Sequence, residues 1–171
     1  MIDKIKTTLI FLFFSCSIFS QQISTRYVDE FTKDNIIQVN ASKNTEWQGT
    51  DNIAKGLFNN IFLSLKQINA TKILQLDIQI GGMLCINNNE DKIILLLENN
   101  ETLELKQGSR LDCANRLLTK YIISDIQINL LSINPINKFR IYTYDGYITL
   151  EVKEDKKELI KNTFTLFKSK T

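Results

Sequence analysis

Strict alternation of apolar and polar residues over residues 71–81 constrains the fold of this chain more than any other sequence feature. The apolar members share one face of an extended strand and the polar members share the other: Leu74, Leu76, Ile78 and Ile80 against Gln75, Asp77 and Gln79. A period of two is typical of a half-buried antiparallel strand. The apolar run over residues 60–68 precedes it, and Asn69 and Ala70 supply a turn, so we predict a hairpin.

A second hairpin is predicted over residues 92–106, with its turn at Asn99 and Asn100. Asparagine tolerates the positive φ that a two-residue turn demands. The register that follows is defined by two cross-strand pairs: Leu96 with Leu103, and Ile94 with Leu105. The first strand is apolar on both faces, so we expect it to be central in a sheet and covered on both sides.

A third hairpin has the strongest turn signal, Asp145-Gly146, between residues 140–144 and 147–152. A two-residue turn there pairs Arg140 with Glu151, which sets opposite charges against each other. One face of this hairpin is apolar and comprises Phe139, Ile141, Ile148, Leu150 and Val152.

The other face of the third hairpin supplies candidate binding residues: Arg140, Tyr142, Tyr144 and Tyr147. Tyrosine and arginine are enriched at contact sites. The alternative is that these tyrosines reflect strand propensity or lie beneath a helix. Trp47, the single tryptophan, falls in a polar stretch over residues 42–56 that we predict as a loop. Trp47 either anchors a partner or folds back onto the core.

Two helices are predicted. Ser124 and Gln127 have the spacing of a capping box, which opens a helix that runs to about Leu131 and stops before Pro135. A second helix covers about residues 155–168, with acidic residues at its start and lysines at its end. Its apolar stripe comprises Ile160, Thr163, Phe164 and Phe167.

These elements define the fold class. Residues 27–41 hold two further extended runs around Lys33, and residues 109–121 fit either a strand or a helical face. We predict an α+β fold: an antiparallel β-sandwich or partly open barrel, with the C-terminal amphipathic helix covering one opening or face. A barrel of the pleckstrin-homology type is one form of it, and that analogy implies no lipid ligand.

Residues 1–20 have the layout of a secretory signal peptide. Lys4 and Lys6 precede an apolar run that is too short to cross a bilayer, which takes about 20 residues, and the chain turns polar at Gln21. Cleavage after Ser20 leaves residues 21–171 as a single exported domain without a later membrane span. Two alternatives stay open: acylation of Cys16 in a lipobox-like context, and an uncleaved anchor.

Cys85 and Cys113 remain once the leader is removed or Cys16 is acylated. An exported domain with an even cysteine count favours a disulfide, here closing a loop of about 28 residues and contributing roughly 3 kcal/mol. The alternative is a pair of buried free thiols.

The chain contains no histidine, which excludes histidine-based nucleophilic, acid–base and metal sites. No glycine-rich phosphate loop is present and no cofactor is expected. The net charge is +2 without a basic block, so nucleic acid is not an expected partner. Glu98 and Glu101 form an acid pair or cation site, or else two solvated carboxylates at a hairpin tip. Residues 87–91 form a calcium-binding loop or a plain polar one.

The stretches FRIYTYDGYI at residues 139–148 and LLLENNETLEL at residues 95–105 resemble small exported proteins of flavobacterial type. Those proteins carry an "EFTG" start, a hairpin, a capped helix and an "IRIYTSDGY"-like hairpin before a final helix. The matching segments here are residues 29–32, the Asn99 hairpin, residues 121–125 and the Asp145 hairpin, with Lys33 in place of the glycine. The resemblance implies export and topology, and no activity.

Together these features favour an exported, non-catalytic binding module in the periplasm, on the cell surface or secreted. Its expected partner is a protein or a glycan of the cell envelope. The first alternative is a glycosidase-like hydrolase that uses two carboxylates, because that chemistry needs no histidine. The second is an exported inhibitor or immunity-type protein that presents an aromatic patch to an enzyme.

Overall fold

Two five-stranded antiparallel sheets and two helices make up the part of the chain that the computed structural model describes, residues 23–41, 47–49, 58–85, 92–107, 113–143 and 146–171. Sheet 1 contains β1 (Ile23–Val28), β2 (Asn35–Asn40), β4 (Phe58–Ile68), β5 (Thr71–Cys85) and β8 (Cys113–Ile122). Sheet 2 contains β3 (Trp47–Gly49), β6 (Lys92–Leu97), β7 (Thr102–Lys106), β9 (Ile136–Thr143) and β10 (Gly146–Val152). The helices are α1 (Asp125–Ile133) and α2 (Glu154–Lys170).

The strand orders are β1-β2-β4-β5-β8 in sheet 1 and β3-β10-β9-β6-β7 in sheet 2. One core joins the inner faces of both sheets, with Leu65 and Leu74 from sheet 1 and Leu95 and Ile141 from sheet 2. Helix α2 contacts α1, strands of sheet 1 and β9 of sheet 2, and buries Phe164 in the same core. The predicted α+β sandwich with a C-terminal helix is confirmed.

The first hairpin, β4–β5, has its turn at the predicted residues. Ile68 pairs with Thr71, and Asn69 adopts a φ of 53° in the turn between them. Leu65 pairs with Leu74 on the core face, where both side chains are fully buried. Alternation and turn chemistry agree at this hairpin, so local sequence specifies its register.

The predicted register of the second hairpin, β6–β7, is wrong by one residue. Leu95, not Leu96, pairs with Leu103. The turn has three residues, because the Leu97 N–H donates to the Glu101 carbonyl at 2.9 Å and Asn100 takes a φ of 65°. A three-residue loop with a left-handed residue is the next favoured hairpin connection after the two-residue loop. A shift of one residue exchanges the two faces of a strand.

Strand β6 is interior to its sheet as predicted, but only one of its faces is fully covered. Ile93, Leu95 and Leu97 are buried in the core, whereas Ile94 and Leu96 are half-buried on the opposite side. The expectation of cover on both faces is therefore wrong for the described residues, and β6 leaves apolar side chains partly exposed on the outside of sheet 2.

The third hairpin, β9–β10, is shifted by two residues from its predicted register. Gly146 pairs with Thr143, and Glu151 lies opposite Lys138 instead of Arg140. A shift of two residues keeps each side chain on its face. The predicted apolar face is therefore buried as expected, comprising Phe139, Ile141, Ile148, Leu150 and Val152.

Strand pairing tests three predictions for irregular or ambiguous segments. The second of the two extended runs predicted within residues 27–41 is β2, whereas β1 begins at Ile23, four residues before that range. Lys33 takes a φ of 63° in the turn between β1 and β2. The predicted loop over residues 42–56 is wrong at Trp47–Gly49, which pairs with β10 as an edge strand. From Cys113 onward the ambiguous segment is strand β8, which pairs with the long strand β5 of sheet 1.

Both predicted helices are present. Ser124 caps α1, and its side chain and that of Gln127 form the reciprocal bonds of a capping box. Helix α2 carries Glu154 and Asp155 in its first turn and Lys168 and Lys170 in its last turn, as the helix dipole favours. No helix in the described ranges combines the length and the apolar character that crossing a bilayer requires.

Cys85 and Cys113 face each other across β5 and β8, with their sulfur atoms at a bonding distance of 1.99 Å and their Cα atoms 4.0 Å apart. At this point the chain leaves sheet 1 to build β6 and β7 in sheet 2, and then returns. The pair therefore ties the two ends of that excursion together. The predicted leader over residues 1–20, with Cys16, lies outside the described residues.

Tyr121 is a fully buried tyrosine on β8, and its hydroxyl has no hydrogen-bond partner among the residues that the structure describes. The neighbouring Thr119 hydroxyl donates to the Leu76 carbonyl at 3.3 Å. Burial raises the pKa of Tyr121 to about 12, with a smaller opposing contribution from Thr119. An unpaired buried hydroxyl costs about 1–3 kcal/mol.

Replacing Tyr121 with Phe is expected to leave the free energy of unfolding at pH 7 unchanged or to raise it by about 1 kcal/mol. The folded pKa of Tyr121 lies above its unfolded value. Its contribution to stability is therefore complete below about pH 10, and about 2–3 kcal/mol is lost as the pH rises to 12. Denaturation curves of both proteins between pH 9 and pH 12 measure this difference. If the wild type and Tyr121→Phe lost the same stability over this pH range, the raised pKa of Tyr121 would be contradicted.

Candidate functional site

The outer face of sheet 2 is built from three cross-strand rows of β6, β9 and β10. Register places Lys92 beside the directly paired Tyr142 and Tyr147, and the next two rows are Ile94–Arg140–Thr149 and Leu96–Lys138–Glu151. Directly opposed residues on neighbouring strands have their side chains about 5 Å apart on the same face. The three rows therefore form one continuous surface, which we call the outer face of sheet 2.

Aromatic and cationic side chains alternate at one end of this face. The rings of Tyr142 and Tyr147 meet edge to face, with centroids 6.4 Å apart and planes at 63°. Lys92 Nζ lies 5.7 Å from the Tyr142 centroid, and Arg140 Cζ lies 4.2 Å from the Tyr147 centroid. Both distances are within the range of cation–π attraction, which is worth about 0.5–1 kcal/mol at exposed sites. The four side chains therefore form one contiguous cluster at this end of the face.

A depression of about 220 Å³ lies beside this cluster. Ile94 and Leu96 from β6 line it, and Lys138 and Arg140 from β9 contribute to its walls together with threonines of β7 and β10. Its apolar lining follows from the sequence of β6, which is apolar on both sides. Surface cavities that bind drug-sized molecules measure about 300–1,000 Å³, so this one is smaller than a typical ligand pocket.

Positive charge exceeds negative charge on the outer face of sheet 2. Lys92 Nζ contacts Glu104 at 3.1 Å, and Lys138 Nζ contacts Glu151 at 3.7 Å. Lys106 and Arg140 make no ion pair with a carboxylate of the described part of the chain. Among the described side chains of this face and of the neighbouring β7, four cations thus stand against two carboxylates, and Arg140 lies at the depression beside Tyr147.

Three of the predicted binding residues come together on this face: Arg140, Tyr142 and Tyr147. Tyr144 lies outside the described residues. The backbone of Trp47 pairs with Val152 at the edge of the same sheet, and its side chain lies outside what the structure describes.

Four residues of this face escaped the sequence analysis: Lys92, Ile94, Leu96 and Lys138. The register predicted for β6–β7 paired Ile94 and Leu96 with leucines, as core residues are paired. The signal that points to Ile94 and Leu96 is the second apolar face of β6, because a strand at the surface of a sandwich has one face without a core to fill.

A second feature of the surface is the turn between β1 and β2, residues 29–34, which we call the Phe31 turn. Phe31 lies at the tip of this turn and is 94% exposed. The Asp29 carboxylate accepts hydrogen bonds from the backbone N–H groups of Phe31 and Thr32, both at 2.9 Å. The bonds from Thr32 and then Phe31 lower the pKa of Asp29. This exposed aromatic side chain is therefore presented by an ordered turn.

The base of the Phe31 turn is bonded to the β4–β5 turn. Asn69 Nδ2 donates to the Asp34 carboxylate at 2.6 Å, and Asn69 Oδ1 accepts from the Asn35 N–H at 3.1 Å. The Asn69 N–H also donates to the Asn35 carbonyl at 3.0 Å. Three bonds from one residue hold the Phe31 turn against sheet 1.

The carboxylates singled out in the sequence do not form a pair. Glu98 binds Lys157 of α2 at 2.9 Å, whereas Glu101 accepts from Asn99 Nδ2 at 2.9 Å. Lys157 also contacts Glu154 at 2.6 Å, and hydrogen bonds to Glu154 and then Glu98 raise the pKa of Lys157. Glu98 therefore fastens the hairpin tip to α2. The predicted calcium-loop candidate, residues 87–91, lies outside the described residues, and the described ones contain no cluster of three metal-ligating side chains.

A second depression, of about 360 Å³, brings two carboxylates to its walls, Glu151 and Glu154. Each is already bound to a lysine, Glu151 to Lys138 and Glu154 to Lys157, and Glu154 is 85% exposed. A glycosidase needs one carboxylic acid in an apolar environment that keeps it protonated. These two side chains lie in charged, solvated surroundings and lend no support to that chemistry.

Comparison of the chain with protein-family models, with curated proteins and with solved structures gives no match.

Proposed function

We propose that this chain is an exported, non-catalytic binding module, and that the outer face of sheet 2 is its contact surface. The expected partner is a protein or a glycan of the cell envelope. The observation that carries this proposal is the ordered cluster of Lys92, Tyr142, Tyr147 and Arg140 beside an apolar depression.

The chemistry of the cluster supports contact with a partner. Tyrosine and arginine are the residue types most enriched among side chains that dominate binding energy. Tyr147 is 47% exposed, so its ring still has apolar surface that a partner can cover. The small volume of the depression favours a side chain or one sugar ring over an enclosed cofactor.

Export is supported by two features taken together. Residues 1–20 have the order of charges, apolar residues and small residues found in signal peptides. The sulfur atoms of Cys85 and Cys113 are at bonding distance, and disulfides persist mainly in oxidising compartments.

The binding proposal predicts that replacing Tyr142 and Tyr147 with Ala weakens capture of the envelope partner at least tenfold. The loss follows from removal of two aromatic contacts and of the ring that Arg140 stacks on. The chain is produced with its own leader and a tag after Thr171, recovered from the envelope fraction, and used to capture partners from envelope extract. Recovery only from the cytosol, with the leader attached, contradicts export.

Tyr27→Ala is the matched control for this experiment. Tyr27 is also 47% exposed, but it lies on β1 of sheet 1, away from the cluster. Removal of an equally exposed ring there is expected to leave capture unchanged. Capture that survives the double variant at full strength would reject the outer face of sheet 2 as the contact surface.

A further inference from the structure

We propose that the Phe31 turn of one copy of this chain docks into the depression on the outer face of sheet 2 of a second copy. The proposal rests on the proposed function in one respect, that this face is a contact surface. It goes further by naming the partner chemistry: an aromatic side chain flanked by carboxylates, supplied by the chain itself.

The exposure of Phe31 is the first reason. A phenylalanine side chain gains about 1.5–3 kcal/mol on full burial, and Phe31 leaves 94% of its surface in water. It is not at a frayed end of the chain: Asp29 binds the turn from within, and Asn69 binds it from the neighbouring hairpin. An ordered turn loses little conformational freedom on docking, so the ring is preorganised for a contact.

Size is the second reason. The depression of about 220 Å³ is below the range for small-molecule sites, and its apolar lining comes from Ile94 and Leu96. One aromatic side chain is the kind of group that such a depression takes. Among the described residues, Phe31 is the most exposed of the large hydrophobic side chains.

Charge is the third reason. The Phe31 turn carries three carboxylates, Asp29, Glu30 and Asp34, against one lysine, Lys33. The walls of the depression include Lys138 and Arg140, and the described side chains of the outer face of sheet 2 and of β7 include four cations against two carboxylates. Complementary charges steer association and disfavour the wrong orientation.

Topology makes the contact intermolecular. The Phe31 turn connects two strands of sheet 1, whereas the depression lies on the face of sheet 2 that points away from sheet 1. A chain therefore cannot fill its own depression. The contact joins two different surfaces, so it is a head-to-tail association and not a self-complementary one. One turn in one shallow depression buries little area, which places the association at the weak end of protein–protein contacts.

Analytical ultracentrifugation of the exported chain tests the proposal. At about 1 mM, where contacts with millimolar dissociation constants are populated, the wild type is expected to sediment as a mixture of monomers and larger species. Phe31→Ala and the double variant Lys138→Glu/Arg140→Glu are each expected to sediment as monomers. The matched controls are Ile126→Ala, an exposed apolar side chain of α1, and Lys168→Glu/Lys170→Glu, two exposed cations of α2. Both controls are expected to associate as the wild type does.

Mixing the two monomeric variants provides the decisive measurement. Phe31→Ala keeps an intact depression, and Lys138→Glu/Arg140→Glu keeps an intact Phe31 turn. The mixture is therefore expected to form a 1:1 complex that does not grow further, because each partner retains one half of the contact. A mixture that stays monomeric, or a wild type that is monomeric at about 1 mM, overturns the proposal.

The same variants separate this proposal from the proposed function. Phe31→Ala is expected to capture the envelope partner as well as the wild type, because its outer face of sheet 2 is intact. If a different protein is the occupant of the depression, the wild type stays monomeric while Tyr142→Ala/Tyr147→Ala still loses its partner. That outcome rejects self-association and leaves the binding function standing.

Discussion

Replacing Phe164 with Ala is expected to lower the free energy of unfolding by about 3–5 kcal/mol. Phe164 is fully buried on α2, between Ile160 and Phe167 of the same stripe. Its removal takes apolar surface out of the core and leaves a cavity that the surrounding sheets fill only in part. Because a domain of this size is stable by about 5–15 kcal/mol, the loss is a large share of the total.

The position of α2 explains why this single ring has a large effect. The helix contacts strands of both sheets and packs along α1, so its buried stripe closes the core that the two sheets share. Loosening α2 also weakens the contact of Lys157 with Glu98 at the β6–β7 turn. Urea denaturation followed by circular dichroism measures the expected fall in the transition midpoint.

Phe31→Ala is the matched control for this substitution, since the same atoms are removed from a side chain that is 94% exposed. Its free energy of unfolding is expected to stay within about 0.5 kcal/mol of the wild type, as for most surface substitutions. Equal losses at Phe31 and Phe164 would contradict the placement of α2 over the core.

Loss of the Cys85–Cys113 bond is expected to lower the free energy of unfolding by about 3 kcal/mol. The two cysteines are 28 residues apart in sequence, and the intervening segment includes the whole β6–β7 hairpin. A bond between them restricts the unfolded chain, in which these ends otherwise separate freely. The folded chain already places them opposite each other on β5 and β8, so the bond follows the existing strand pairing.

Thermal denaturation with and without a reductant measures this effect. The wild type is expected to melt at a lower temperature after reduction, and Cys85→Ser/Cys113→Ser is expected to melt at that lower temperature in both conditions. Thiol titration of the denatured, unreduced domain after leader removal is expected to find no free thiol at these two positions. Two titratable thiols, or a melting temperature insensitive to reductant, would contradict the bond.

Elements whose signals are local were predicted with their correct positions. The β4–β5 hairpin combines strict alternation with a turn at Asn69, and α1 opens at the Ser124 capping box. Helix α2 buries the stripe that its sequence period defines, including Phe164. In each case the interactions that decide the structure lie within a few residues of one another, so sequence pattern is sufficient.

Registers and sheet membership depended on interactions that sequence pattern does not contain. The β6–β7 turn has three residues because Asn99 and Asn100 are used differently: Asn99 Oδ1 accepts the Glu101 N–H at 3.0 Å, and Asn100 adopts the positive φ. Trp47–Gly49 is a strand because its backbone pairs with the edge of β10. The sequence pattern left β8 open between strand and helix, and pairing with β5 makes it a strand.

The residues of the candidate site also fall into two groups: those that sequence pattern placed on the outer face of sheet 2, and those that only the tertiary structure placed there. Alternation along β9 and β10 was enough to place Arg140, Tyr142 and Tyr147 on one outward face, because a shift of two residues leaves faces unchanged. The sequence by itself thus determined an α+β chain of hairpins with a closing helix and an aromatic outer face, all of which follow from period and turn chemistry. Only the tertiary structure decided that β6 lies beside β9 and brings Lys92, Ile94 and Leu96 to that face, because pairing between strands some 45 residues apart depends on the packing of the whole core.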